Sequence, residues 1–175
     1  MLARSAKIKK NLFPHIPKKE DRLKTKTRKI VALKPSGKKL KKECDELWSQ
    51  IIKERAGYKS EISGTPGEIS SKSGDLIGLS SHHIVHKPNY FLRYDLDNGI
   101  VLTAFKEHTN GVHSNDPVIS REYSDKIINY IGLERWQRLI SKRSQSVAVD
   151  LTDKKTLLTE ILNKLRRINA QRENA

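Results

Sequence analysis

Cysteine is almost absent from this chain: Cys44 is the only thiol in 175 residues. An internal disulfide is excluded, and so is a structural zinc held by cysteines. Aromatic residues make up 6 % and hydrophobic residues 35 %, which suits one modest core with extensions rather than two large cores. No apolar run approaches the roughly 20 residues that a membrane span needs. The first residues carry no apolar signal stretch, so a cytoplasmic location and no membrane partner are expected. Acidic charge is also scarce, with 20 Asp and Glu against 35 Lys and Arg, for a formal net charge of +15.

The positive excess is local. Residues 1–42 hold 16 lysines and arginines and only Glu20 and Asp21 to oppose them, whereas residues 43–175 hold 19 basic against 18 acidic residues. Like charges repel and there is little apolar surface to bury, so residues 1–42 are expected to be a basic, disordered arm. Such an arm suits a polyanion, along which it releases counterions. The expected nucleic-acid contacts are Lys7, Lys9, Lys10, Lys18, Lys19, Lys24, Lys26, Arg28, Lys29, Lys38, Lys39, Lys41 and Lys42. A plain solubilising tail is the competing reading.

Periodicity places the elements of the remainder. Residues 41–56 have helical spacing, with Leu47, Trp48, Ile51 and Ile52 on the apolar side and Gly57 as a left-handed cap. Cys44 is expected on this helix as a small buried side chain, not a nucleophile. Residues 60–75, rich in glycine and serine, read as loops and a tight connection. Leu79–Val85 and Ile100–Thr103 read as short strands, with Pro88 and Asn89 breaking the first and Asp97-Asn98-Gly99 turning into the second. Tyr90–Asp97 reads as irregular. A short helix from Ala104 is expected to end by Asn110-Gly111. Helices follow near Ser120–Ile131 and Glu134–Lys142, and a last one, capped by Thr152 or Asp153, runs to about Gln171. That last helix has a basic side; a peripheral helix on the core, a second DNA-contact surface and a helix for a dimer or protein partner are all open to it.

Five of the six histidines fall between positions 82 and 113: His82, His83, His86, His108 and His113. On an extended backbone His82 and His83 point to opposite faces, so one can bind a metal while its neighbour faces a substrate. His108 and His113 are five apart, where a regular helix aligns residues four apart. A residue bulged out at Asn110-Gly111 is expected to bring them together.

The stretch from Ser81 to Pro117, SHHIVHKPNYFLRYDLDNGIVLTAFKEHTNGVHSNDP, resembles the catalytic motif of the HNH endonuclease superfamily in its ordered His-His, Asn, His, His. Similarity to small phage-type members extends into residues 47–64 and 123–139, and a phage or mobile-element setting fits. The resemblance implies an α+β fold: a ββα-metal finger with flanking helices, here with residues 43–145 as the nuclease domain and 146–175 as a helical extension. It implies His83 as general base, Asn98 as the residue that steadies the loop, and His82, His108 and His113 as metal ligands. One divalent ion is expected, Zn²⁺, Ni²⁺ or Mn²⁺ by ligand type, or Mg²⁺ if water and phosphate complete the shell. His86 is left as a surface or phosphate contact. Many relatives hold a structural zinc with two CxxC pairs. The matching positions here are Ser60, Ser63, Ala104 and Glu107, so no structural zinc is expected. The implied function is metal-dependent hydrolysis of DNA, expected to be duplex. The alternative is a non-catalytic nucleic-acid-binding or assembly protein built on the same fold.

Overall fold

The computed structural model describes residues 37–86, 90–145 and 148–173. The contacts expected from Lys7 to Lys29, the disorder expected of the arm before Gly37 and the break at Pro88-Asn89 lie outside those residues. The first helix, α1 (Gly37–Arg55), starts earlier than its apolar pattern does, so Lys38, Lys39, Lys41 and Lys42 are helical. Cys44, Trp48, Ile51 and Ile52 form its buried stripe. Gly57 ends it at φ 59°, and the N–H of Tyr58 closes back on the Lys53 carbonyl at 3.0 Å.

Two antiparallel strand pairs follow, β1 (Glu68–Ile69) with β2 (Leu76–Ile77) and β3 (Leu79–His83) with β4 (Gly99–Thr103). The loops around the first pair are two turns of one design. The Ser60 hydroxyl accepts from the N–H groups of Ile62 and Ser63, and the Ser70 hydroxyl from those of Lys72 and Ser73. Gly64 and Gly74 both stand at φ 72° in these turns. The repeat of Ser-x-x-Ser-Gly is visible in the sequence once its turn geometry is known.

Between β3 and β4 the segment expected to be irregular contains a one-turn helix, α2 (Tyr90–Arg93), and a 3₁₀ turn, Leu96–Asn98. Beyond β4 the chain winds into a π-helix over Ala104–Val112. Then come α3 (Pro117–Ile131), α4 (Leu133–Arg143) and α5 (Leu151–Glu173). Helix α3 starts ahead of Ser120 because Asp116 accepts from the Val118 N–H at 2.8 Å and Pro117 supplies the first helical φ. Asp150, not Thr152 or Asp153, caps α5, accepting from the Thr152 N–H at 2.7 Å.

The β3–β4 pair lies between two helical layers, and alternation along β4 decides which residue meets which layer. Val101 packs with Cys44, Trp48, Ile51 and Ile52 of α1 and with Leu158 and Leu162 of α5. Ile100 and Leu102 pack with Ile127 of α3 and, more loosely, with Val112 of the π-helix. Helix α5, in the expected C-terminal extension, thus packs on the core around α1, one of the places open to it from sequence. Ion pairs Lys155–Glu43 at 2.8 Å and Arg166–Glu54 at 3.9 Å advance together in number, so α1 and α5 run parallel. Among the described residues no helix is long and apolar enough to cross a membrane.

Candidate metal centre

Strand register separates the two adjacent histidines. His82 pairs with Ile100 and so shares the face that meets the π-helix, whereas His83 pairs with Gly99 and faces α1. On the π-helix side, one ligand atom each of His82, His108 and His113 lies within 4.8 Å of the others. The rings meet edge to face, with centroids 5.2 Å apart for His82–His108, 5.4 Å for His82–His113 and 4.7 Å for His108–His113. Among the described residues this is the one group of His, Cys, Asp or Glu with such spacing.

The five-residue interval is solved differently from the expected bulge. The π-helix does not end at Asn110-Gly111; it runs through that pair, and the His113 N–H donates to the His108 carbonyl at 3.0 Å. In an i→i+5 helix the residues five apart lie one turn apart, so the winding itself brings the two imidazoles together, edge to face. Gly111 is buried in this helix and has no positive φ. Its value is close approach, since a Cβ there would stand 2.8 Å from the Tyr123 ring of α3.

Three neutral nitrogen donors fit a borderline divalent ion. On a tetrahedral ion with bonds of about 2.1 Å, ligand nitrogens stand about 3.4 Å apart. The ligand atoms here, within 4.8 Å of one another, stand somewhat wider than that spacing. His82, His83, His86, His108 and His113, with Ser80 and Ser81, line one cavity of about 270 Å³. His86 is exposed at its edge.

His83 stands apart from the cluster. Its ring stacks on Trp48 with centroids 3.8 Å apart and planes within 10°. Its Nε2 lies 2.9 Å from the Arg93 carbonyl. A carbonyl only accepts, so Nε2 carries the proton and Nδ1 holds the basic lone pair of the neutral ring. Gly99, opposite His83, makes the stacking feasible: a Cβ there would lie 2.5 Å from Ile52 Cδ1 and 2.8 Å from Trp48 Cζ2.

Asn98 is fully buried, and both its amide protons and its oxygen are hydrogen-bonded. Nδ2 donates to the carbonyls of Val85 and Leu92, each at 3.0 Å, and Oδ1 accepts from the Val85 N–H at 2.7 Å. It thus ties the residues after β3 to α2, next to the carbonyl that holds His83. Arg55 from α1 and Arg135 from α4 both donate to the Gly99 carbonyl at 2.8 Å, and Lys142 pairs with Asp95 at 2.7 Å. Burial, with Arg55 beside it, pulls the Arg135 guanidinium below its ordinary value.

The positions matching the two thiol pairs are joined by hydrogen bonds. Ser60 Oγ donates to Glu107 Oε2 at 2.6 Å, and the Thr103 N–H donates to the same oxygen at 2.7 Å. Glu107 is 3 % exposed. Burial alone would raise its carboxyl, but the bonds from Ser60 and Thr103 outweigh it and hold the group below its ordinary value. A depressed folded-state pKa stabilises the fold above the unfolded value, and that contribution disappears as pH falls through the folded value. Thermal melts of the wild type are therefore expected to lose stability below about pH 4.5 more steeply than those of Glu107→Gln. Parallel acid profiles for the two proteins would remove the carboxylate from this role.

No protein-family model, curated protein or solved structure matches this chain. The site therefore has to be judged on its own chemistry. Cys44 contributes none: it is buried, its Sγ lies 3.4 Å from the Leu151 carbonyl, and burial followed by Asp45 and Glu43 pushes its thiol up. That is opposite to an activated nucleophile. Sequence reasoning missed Asp45, Trp48 and Arg93. A pattern of Asp and Trp on one helical face was available, but nothing in sequence links either to position 83.

Proposed function

We propose that this chain is a metal-dependent DNA endonuclease of the HNH type, with β3, β4 and the π-helix as its ββα-metal finger and His83 as general base. The observation that carries the reading is the division of labour between neighbours on one strand. His82 joins His108 and His113 in a ligand-spaced cluster, while His83 on the opposite face is held by Nε2 on the Arg93 carbonyl with Nδ1 buried.

His82, His108 and His113 would hold one divalent ion, which when bound supplies a Lewis acid that stabilises charge on the phosphate. Three imidazoles with no carboxylate among them favour Zn²⁺, Ni²⁺ or Mn²⁺ over Mg²⁺. His83 takes a proton from water, and the water oxygen attacks phosphorus; the Nδ1 that receives it is buried in this structure, so water reaches it only with a shift of its surroundings. The bond from phosphorus to the leaving oxygen breaks, and that oxygen takes a proton from solvent. Asn98 keeps the segment after β3 fixed to α2, so the base does not swing away. His86, at the cavity edge, contacts a phosphate oxygen.

The basic residues supply affinity without reading sequence. Lys38, Lys39, Lys41 and Lys42 extend the basic run onto α1, about one to three turns before the residues that touch His83 and Arg93. Removing residues 1–36, which carry 12 Lys and Arg, leaves α1 whole. The truncated chain is expected to bind DNA more weakly and to flatten the plot of log affinity against log salt, by about 0.9 for each phosphate no longer neutralised. An unchanged slope rejects the arm as a DNA-binding element.

A nicking assay on supercoiled plasmid, run separately with Mg²⁺, Mn²⁺, Ni²⁺, Zn²⁺ and EDTA, tests the reading. Nicked circles are expected with at least one metal and none with EDTA. DNA binding without nicking under every metal would instead support the non-catalytic use of the fold.

A further inference from the structure

We propose that Asp45 is a positioning residue for His83, acting through the peptide carbonyl of Arg93. The inference rests on the reading of His83 as the base. Arg93 Nε donates to Asp45 Oδ1 at 2.7 Å and Nη2 to Oδ2 at 2.6 Å, a two-point fork between α1 and α2. The Arg93 side chain is 12 % exposed and that of Asp45 34 %. The carbonyl of the same Arg93 receives the His83 Nε2 proton at 2.9 Å. Orientation of the ring's proton therefore depends on where α2 sits; Asn98 ties α2 to the residues after β3, and the fork ties it to α1.

A second contact starts one turn along the same helix. Trp48, three residues after Asp45, stacks on the His83 ring and donates from Nε1 to the Asp95 carbonyl at 3.1 Å. Residues three apart share a helix face. One face of α1 thus fixes the ring plane directly and its donor nitrogen indirectly. Stability alone gives a weak reason for the fork, because desolvation offsets much of the attraction in a largely buried pair. Geometry gives a stronger one: Arg holds two bonds in a fixed plane where Lys would hold one. Asp45 belongs to neither the ligand cluster nor the cavity lining, and its side-chain bonds run to Arg93, so its effect on turnover is expected to pass through His83.

The test uses the full chain, labelled with ¹⁵N at histidine, as wild type, Asp45→Ala, Asp45→Glu and Arg93→Lys. Long-range proton–nitrogen spectra at pH 8 read the His83 tautomer, while nicking kinetics and Zn²⁺ stoichiometry are measured in parallel. The wild type is expected to hold one tautomer, protonated at Nε2. In Asp45→Ala the ring should populate both tautomers, with kcat about a hundredfold lower and KM and Zn²⁺ stoichiometry unchanged. Asp45→Glu, which keeps the carboxylate, should recover part of the rate. Arg93→Lys keeps the charges and loses the fork, so it gives the same readout if Asp45→Ala does not fold. Wild-type tautomer and rate in these variants overturn the proposal, as does a rate loss matched by loss of Zn²⁺. If the wild type nicks no DNA, the nuclease reading fails, and the Asp45→Ala tautomer still decides the clamp.

Discussion

Replacing His83 with alanine is expected to lower plasmid nicking by about a thousandfold, the range of a lost general base, while DNA affinity and metal stoichiometry stay at wild-type values. The separation follows from strand geometry. His83 faces α1 and Trp48, away from the three imidazoles on the π-helix side, so its removal leaves the ligand cluster intact. Some stability goes with it. The Arg93 carbonyl loses its donor and the Trp48 ring loses its cover, a cost of about 1–2 kcal/mol. Rates must accordingly be compared well below the melting transition of the variant. Quantified single-turnover nicking is the check, and a variant that cuts at the wild-type rate removes His83 from the chemistry.

His108→Ala and His113→Ala are expected to have the opposite signature, losing metal first and cleavage as a consequence. Each residue supplies one of three donor nitrogens held within 4.8 Å. Loss of a direct ligand should exceed the ~10–100-fold drop in affinity that follows loss of an outer-shell partner. Lys106→Ala is the control, being exposed on the same π-helix and outside the cluster. Equilibrium dialysis of Zn²⁺ against each purified chain reads the result. Full binding by the His108→Ala, His113→Ala double variant would show that the metal sits elsewhere.

Much of the site was legible in the sequence because it rests on period two. The alternation of a strand sends His82 and His83 to different faces whatever the tertiary structure, and the mixed α+β arrangement with helices around an antiparallel pair follows from the same reading. Less was legible where a different period operates. A helical search at 3.6 residues per turn cannot align His108 with His113, and Asn110-Gly111 carries a strong turn signal. The chain instead widens to a π-helix and uses Gly111 for close packing on Tyr123. The supports of His83 were hidden by distance in sequence, since Asp45 and Arg93 are 48 residues apart and resemble any surface charges until α1 and α2 meet. That Ser60, Ser63, Ala104 and Glu107 offer no thiol was readable, but not how Ser60 and Glu107 are joined. A buried Glu107 bridging Ser60 and Thr103 depends on a turn whose hydrogen bonds no composition rule supplies.

X-ray absorption on the Zn²⁺-loaded full chain addresses the arrangement at its root, because it counts the ligands and identifies them. One ion per chain with three imidazole nitrogens at about 2.0–2.1 Å, falling to two in His108→Ala, is the predicted result. A spectrum dominated by oxygen neighbours, or one that His108→Ala leaves unchanged, would contradict it.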